Sequence, residues 1–187
     1  FAEVKQWSRE CLVAICLEDV GVEPTAERIA REAGAYWRTV TEKTVVYPDA
    51  KELCGRLLAA GVTVHFATNS DGFLGFDAAS RNFTYDPADS ARRKVERLAL
   101  LREVGMHEGN ITVGDPIGKP HPEFYERALA GLDRGATLVV GDSLSNDVLP
   151  FLKAGVAHGA WLRRHGGEGE GGVSAVKTLL ELERWVF

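Results

Sequence analysis

Ala136-Thr137-Leu138-Val139-Val140 runs directly into Gly141-Asp142-Ser143-Leu144-Ser145-Asn146-Asp147. The first five residues read as the cleanest buried strand in the chain, a short apolar run rich in β-branched residues. A strand without polar alternation is covered on both faces, which is how strands of parallel sheets are built. The polar residues that follow sit where such a sheet collects ligands, beyond the carboxyl end of a strand. Asp142, Ser143, Asn146 and Asp147 are therefore candidate site residues.

Reading outward from this strand, the pattern is helix and strand in alternation. A helix is predicted over 146–154, ended by Gly155, then a strand over 160–163 and a last helix over about 173–185. Toward the N-terminus, a helix over 121–131 is preceded by Gly118-Lys119-Pro120-His121-Pro122 and a strand at Ile111-Thr112-Val113. A helix over 88–104 ends at Gly105. The run Val62-Thr63-Val64-His65-Phe66-Ala67 predicts a strand that opens into Thr68-Asn69-Ser70-Asp71-Gly72. Before it, a helix over 49–60 carries Leu53, Leu57 and Leu58 and stops at Gly61. This alternation implies an α/β fold with a parallel sheet covered on both faces, over residues 47–187.

Residues 1–46 differ. Val4, Trp7, Cys11, Leu12 and Ile15 recur at helical spacing over 2–18, and Gly21 and Pro24 break the pattern. Thr25 is a natural N-cap for a second helix with the stripe Ile29, Ala33, Tyr36, Trp37 and Val40. No heptad is sustained, so the pair reads as a small helical module rather than a coiled coil. Pro48 marks the joint.

Composition excludes several classes. With 45% hydrophobic and 26% charged residues over 187 positions, the chain can build a globular core without disulfide or metal staples. Net charge is −5 with no clustered basic face, which argues against nucleic acid as a partner. No apolar run approaches the roughly 20 residues that span a bilayer, and no basic start leads into an apolar stretch. Cys11, Cys16 and Cys54 form no Cys-x-x-Cys pair and read as small buried apolar side chains in a reducing compartment. The expected location is cytoplasmic. Gly167, Gly169 and Gly172 match a dinucleotide fingerprint in form only. No acidic residue follows at about 20 positions on a second strand, and Glu168 and Glu170 would repel a pyrophosphate. A flexible surface loop is the better reading.

The polar residues beyond the three strand ends combine a hydroxyl, an amine and two carboxylates. Thr68 and the amides after it can hydrogen-bond a phosphoryl oxygen, and Lys119 can neutralise an anionic substrate. Asp142 suits a hard cation such as Mg²⁺, and Asp147 adds charge or holds a metal-bound water. Asn69, Ser143 and Asn146 are secondary polar candidates. Each residue alone is also an ordinary turn or cap residue, and Ser145 or Asn146 could simply cap the next helix. Turn chemistry does not explain a Lys and two Asp on one edge. The set suits phosphoryl transfer, where catalysis is mostly positioning and charge stabilisation.

The chain resembles the haloacid dehalogenase (HAD) superfamily. Phe66-Ala67-Thr68-Asn69 is similar to its second motif, Gly118-Lys119-Pro120-His121-Pro122-Glu123-Phe124 to its third, and Val139 to Asp147 to its fourth. The resemblance covers roughly 48–165. It implies a three-layer, Rossmann-like parallel core with 1–46 as a small all-helical cap, in which Tyr36, Trp37 and Trp7 are candidate lining residues. It also implies a Mg²⁺-dependent phosphatase of a small phosphorylated metabolite, working through a phosphoaspartate. The catalytic set would be Thr68, Lys119, Asp142 and Asp147, with Asp142 and Asp147 on the metal. A 2-haloacid dehalogenase and a non-catalytic binding protein are the alternatives. The family's first motif, an apolar strand ending in Asp-x-Asp, has no match; Glu18-Asp19-Val20-Gly21 is the nearest text and follows a helix. The single Met is Met106 and the chain opens on Phe1, so the motif is expected before residue 1. That strand is central in the family's sheet, and its absence would leave an apolar slot.

Overall fold

Ser8 and Thr25 start the first two helices among the described residues. The computed structural model describes residues 8–77, 79–166 and 172–186. Ser8 Oγ accepts the amide of Cys11 at 3.1 Å and begins helix α1 (Arg9–Asp19). Thr25 Oγ1 accepts the amide of Arg28 at 3.3 Å and begins α2 (Ala26–Lys43), as the sequence predicts. The two helices pack together and bury Ala14, Ile29 and Ala33. Val4 and Trp7, part of the predicted helix over 2–18, lie outside the described residues, as do Gly167, Glu168, Gly169 and Glu170.

The chain divides into two compact units. One joins 1–45 to 69–100, and the other joins 46–68 to 101–187. The sequence places 69–100 with the α/β core, whereas in the structure they pack with the N-terminal helices. The physical reason is packing: the Phe73 ring lies 5.2 Å from that of Trp37, and Tyr36 meets Trp37 edge-on at 5.0 Å. A hairpin the sequence reading passed over, β2 (Gly75–Asp77) and β3 (Asn82–Thr84), pairs antiparallel with Phe76 opposite Phe83. Asp77 organises its turn by accepting the Ala79 amide and the Ser80 hydroxyl. Helix α4 (Pro87–Arg97) follows, capped by Asp86. It carries Lys94 and Arg97, which both donate to the nearly buried Asp71, at 2.8 and 2.7 Å. The helix predicted over 88–104 thus ends at Arg97, and a 3₁₀ segment covers Ala99–Val104.

The second unit holds α3 (Pro48–Ala59), β1 (Phe66–Asn69, its last residue grouped with the first unit), β4 (Ile111–Gly114), α5 (Pro122–Ala128), β5 (Leu138–Gly141), α6 (Leu149–Lys153), β6 (His158–Leu162), β7 (Ser174–Val176) and α7 (Glu183–Val186). β5, β6 and β7 form a parallel sheet in that order, with Leu138 opposite His158 and Gly141 opposite Trp161. β1 pairs with β4 in a separate sheet. Side chains of β5 alternate between two clusters. Val139 joins Phe124, Tyr125, Leu129, Phe151 and Val156, while Leu138 and Val140 join Leu53, Ala160, Val176 and Leu182. That period-2 division places apolar layers on both faces of the sheet.

Several predicted elements shift. The strand at 62–67 begins only at Phe66; Val62 to His65 are irregular, with Val64 O accepting the Asn110 amide nitrogen at 2.9 Å. β5 is half-buried along its whole length, because its edge away from β6 pairs with no strand among the described residues. The helix predicted over 173–185 is instead β7, a 3₁₀ turn at Leu179–Leu182 and α7. Thr178 there accepts the Leu180 amide, and Glu181 reaches back to the Thr178 amide, a capping box that starts the turn anew. The cysteines are free; Cys11 and Cys54 are half-buried and Cys16 is exposed, against the expectation of buried positions.

Asp49, in the first turn of α3, ties the unit's two chain segments together. Its carboxylate accepts both terminal nitrogens of Arg164, at 2.9 and 3.1 Å, and the Leu179 amide at 2.9 Å. Burial works to raise its pKa, but Arg164 and the Leu179 amide hold it below the usual carboxylate value. A depressed pKa contributes stability above the unfolded value that is lost as pH falls through the folded one. Asp49→Asn is expected to lower unfolding stability by about 1–3 kcal/mol at pH 7, and urea denaturation should show the difference narrowing toward pH 3. An equal loss at both pH values contradicts this account.

Candidate active site

Lys119 stands at the centre of the predicted cluster. Its Nζ donates to Ala67 O of β1 at 2.9 Å and to Asp147 Oδ1 at 2.6 Å. Both side chains are largely buried, 11% and 17% exposed. The charge is therefore held by a carbonyl dipole and a counter-charge, the two conditions under which a buried ammonium is tolerated. Thr68 follows Ala67 in β1 and is half-buried.

The loop after β5 is shaped around Asp147. Its Oδ2 accepts the Ser143 amide at 3.0 Å, and its own amide donates to Ser143 O at 2.7 Å. Ser143 Oγ accepts the Asn146 amide at 3.2 Å and caps a π-helical turn, Leu144–Val148, that continues into α6. The cap is thus Ser143 rather than Ser145 or Asn146. Gly141 makes room for this fold-back: a Cβ there would lie 2.1 Å from Asp147 Cβ, so any side chain would push the acid away. Two rings complete the frame. Tyr125 Oη donates to Asn146 O at 2.8 Å, and Trp161 Nε1 donates to Asp142 O at 2.9 Å. Burial first, and then the Asp147 charge, raise the Tyr125 pKa above its ordinary value.

The structure thus brings together Lys119, Asp147 and Ser143, with Thr68 next to the carbonyl that Lys119 holds. Asp142 lies on the same loop, exposed, and its carboxylate makes no hydrogen bond or ion pair among the described residues. Asn146 is exposed and contributes its main chain to the frame. Asn69 is exposed and falls in the other unit. Asp147 directs its two oxygens to Lys119 and Ser143, so Asp142 is the carboxylate open to an added cation. Among the described residues no group of three or more His, Cys, Asp or Glu side chains is placed to hold a metal ion. Mg²⁺ commonly takes one or two carboxylates and completes its shell with waters and substrate phosphates. Asp142 fits that donor chemistry. Gly141, Tyr125 and Trp161 were missed in the sequence; the Gly-Asp junction carried a signal, whereas the two ring donors act through atoms that spacing does not reveal.

An α/β unit with a Lys–Asp pair and an open Asp beyond the ends of its strands is the frame that the three motifs imply. Residues 14–155 match the family model described as haloacid dehalogenase-like hydrolase, and the chain belongs to that family. No curated protein matches it in sequence. Its fold is similar to the crystal structure of the HAD phosphatase from Thermococcus onnurineus, at 21% identity over 92% of this chain and 69% of that one, with a TM-score of 0.57. No helix of the described residues is long and apolar enough to cross a membrane.

Removing one partner of the Lys119–Asp147 pair leaves the other largely buried and uncompensated. Lys119→Met is expected to cost about 2–4 kcal/mol, less than a fully buried pair because some water reaches both groups. The double variant Lys119→Met/Asp147→Asn should recover a large part of that loss in a urea double-mutant cycle. Purely additive effects would show that the two charges do not depend on each other.

Proposed function

We propose that the chain is a Mg²⁺-dependent phosphatase of a small phosphorylated metabolite, acting in the cytoplasm and needing no nucleic acid or membrane. The observation that supports this most is the open carboxylate of Asp142 on the loop that also carries the Lys119–Asp147 pair. A metal-free dehalogenase gains nothing from an acid kept free beside an already compensated pair. The fold's similarity to a HAD phosphatase is consistent with the same choice.

In this reading Lys119 balances the charge of the transferring phosphoryl group, and Thr68 hydrogen-bonds one of its oxygens. Asp147 holds Lys119 in place. Mg²⁺, bound through Asp142, would clamp the phosphoryl oxygens and offset their charge. In this reading the attacking carboxylate would be the first acid of an Asp-x-Asp segment, a motif with no match in these 187 residues, giving a phosphoaspartate that water then hydrolyses. The open edges of β1 and β5 support a place for that segment. Neither pairs with a further strand among the described residues, yet Ala67 and Val139 pack on the same apolar cluster.

In the full gene product, Asp142→Asn is expected to abolish Mg²⁺-stimulated hydrolysis of p-nitrophenyl phosphate while the fold persists. Turnover unchanged by that substitution would remove Asp142 from the metal site. Halide release from a 2-haloacid that survives EDTA would point to a dehalogenase instead, and saturable Mg²⁺ binding without turnover to a binding protein.

A further inference from the structure

The loop from Gly141 to Val148 carries both acids, and its shape rests on two peptide units. The first joins Asp142 to Ser143. Its N–H is the one that donates to Asp147 Oδ2 at 3.0 Å, and its carbonyl accepts the indole N–H of Trp161 at 2.9 Å. The second joins Asn146 to Asp147. Its N–H donates to Ser143 O at 2.7 Å, and its carbonyl accepts the Tyr125 hydroxyl at 2.8 Å. A peptide is planar, so a donor that fixes the carbonyl also fixes the direction of the N–H at its other end. It also fixes the two Cα atoms it joins and leaves only φ and ψ to turn their Cα–Cβ bonds, which narrows the arc open to a carboxylate.

Both rings are themselves held. Trp161 stands opposite Gly141 in the β5–β6 register, which lets its indole reach one residue past the strand end. The Arg163 guanidinium lies 4.5 Å from its ring centroid. Tyr125 is 2% exposed, with Phe124 and Phe151 edge-on at 5.4 and 4.9 Å. Phe would fill nearly the same space at Tyr125, so packing there does not call for the hydroxyl, and Trp161 spends its only polar atom on the Asp142 carbonyl.

We propose that Trp161 and Tyr125 are positioning residues which, by fixing the 142–143 and 146–147 peptide planes, aim the Asp142 carboxylate for cation binding and keep the Asp147 carboxylate on Lys119, an inference that rests on the Mg²⁺-dependent reading of the site. Groups that orient metal ligands from behind typically change metal affinity 10- to 100-fold when removed.

The test uses Mn²⁺ as the probe cation, followed by electron paramagnetic resonance, on the full gene product. Trp161→Phe and Tyr125→Phe should each weaken Mn²⁺ binding by about 10-fold, with the melting midpoint in EDTA lowered by only about 2–4 °C. Phe151→Leu, a core change beside Tyr125, should lower the midpoint at least as much and leave Mn²⁺ affinity unchanged. If both ring variants bind Mn²⁺ like the parent while Asp142→Asn does not, the positioning role is wrong and the metal site stands. If Asp142→Asn also binds like the parent, both fall. Should a ring variant fail to fold, the unaltered protein still decides. The Trp161 indole ¹H–¹⁵N resonance should shift in step with Mg²⁺ saturation, and a resonance that stays put at saturation overturns the proposal.

Discussion

One ammonium group links the two sheets of the α/β unit. Lys119 Nζ reaches a carbonyl of β1 and a carboxylate of the loop after β5, and these strands belong to separate hydrogen-bonded sheets. Removing a charge from water costs several kcal/mol, so this contact persists only because a dipole and an opposite charge both meet it. The apolar cluster around Phe124 and Phe151 joins the same two strands from one face. Charge and packing therefore act on the same junction, and the candidate site lies where they meet.

The first unit follows a parallel logic with a different outcome. Asp71 is held by Lys94 and Arg97 on α4, all three nearly buried. Arg92, on the same helix, pairs with Asp89 and Glu96 in the open. Exposed pairs of that kind contribute little, whereas the buried acid fixes where the chain after β1 meets α4. Asp71 also follows a strand end, and its two cations make it a structural anchor.

Local signals carried well where the physics was local. Thr25 caps α2 because its hydroxyl needs only the amide three residues on. β5 and its acidic loop were legible because a short β-branched apolar run bounded by Gly, Asp and Ser is the local pattern of a strand and its end. The hairpin at 75–84 was not, since its strands have three residues each and are held by Asp77 and by packing of Phe76 on Phe83. The stretch after 173 does not form the one helix its pattern suggests, because Ser174 to Val176 pairs with β6, a partner outside that local window. The grouping of 69–100 with the N-terminal helices likewise depends on Phe73 meeting Trp37, which no spacing rule encodes.

Composition and pattern by themselves determined the fold class and the order of most main elements, and singled out Thr68, Lys119, Asp142 and Asp147 as candidate chemistry-bearing residues. These follow from periodicity and from the rule that ligands gather beyond strand ends, both properties of a short window of chain. Tertiary structure alone decided how those residues divide their work. It paired Asp147 with Lys119, left Asp142 open, required Gly141 to have no side chain, and set Trp161 and Tyr125 against two carbonyls of the acid loop. Such assignments depend on distances between segments far apart in sequence, and only the packed chain has them.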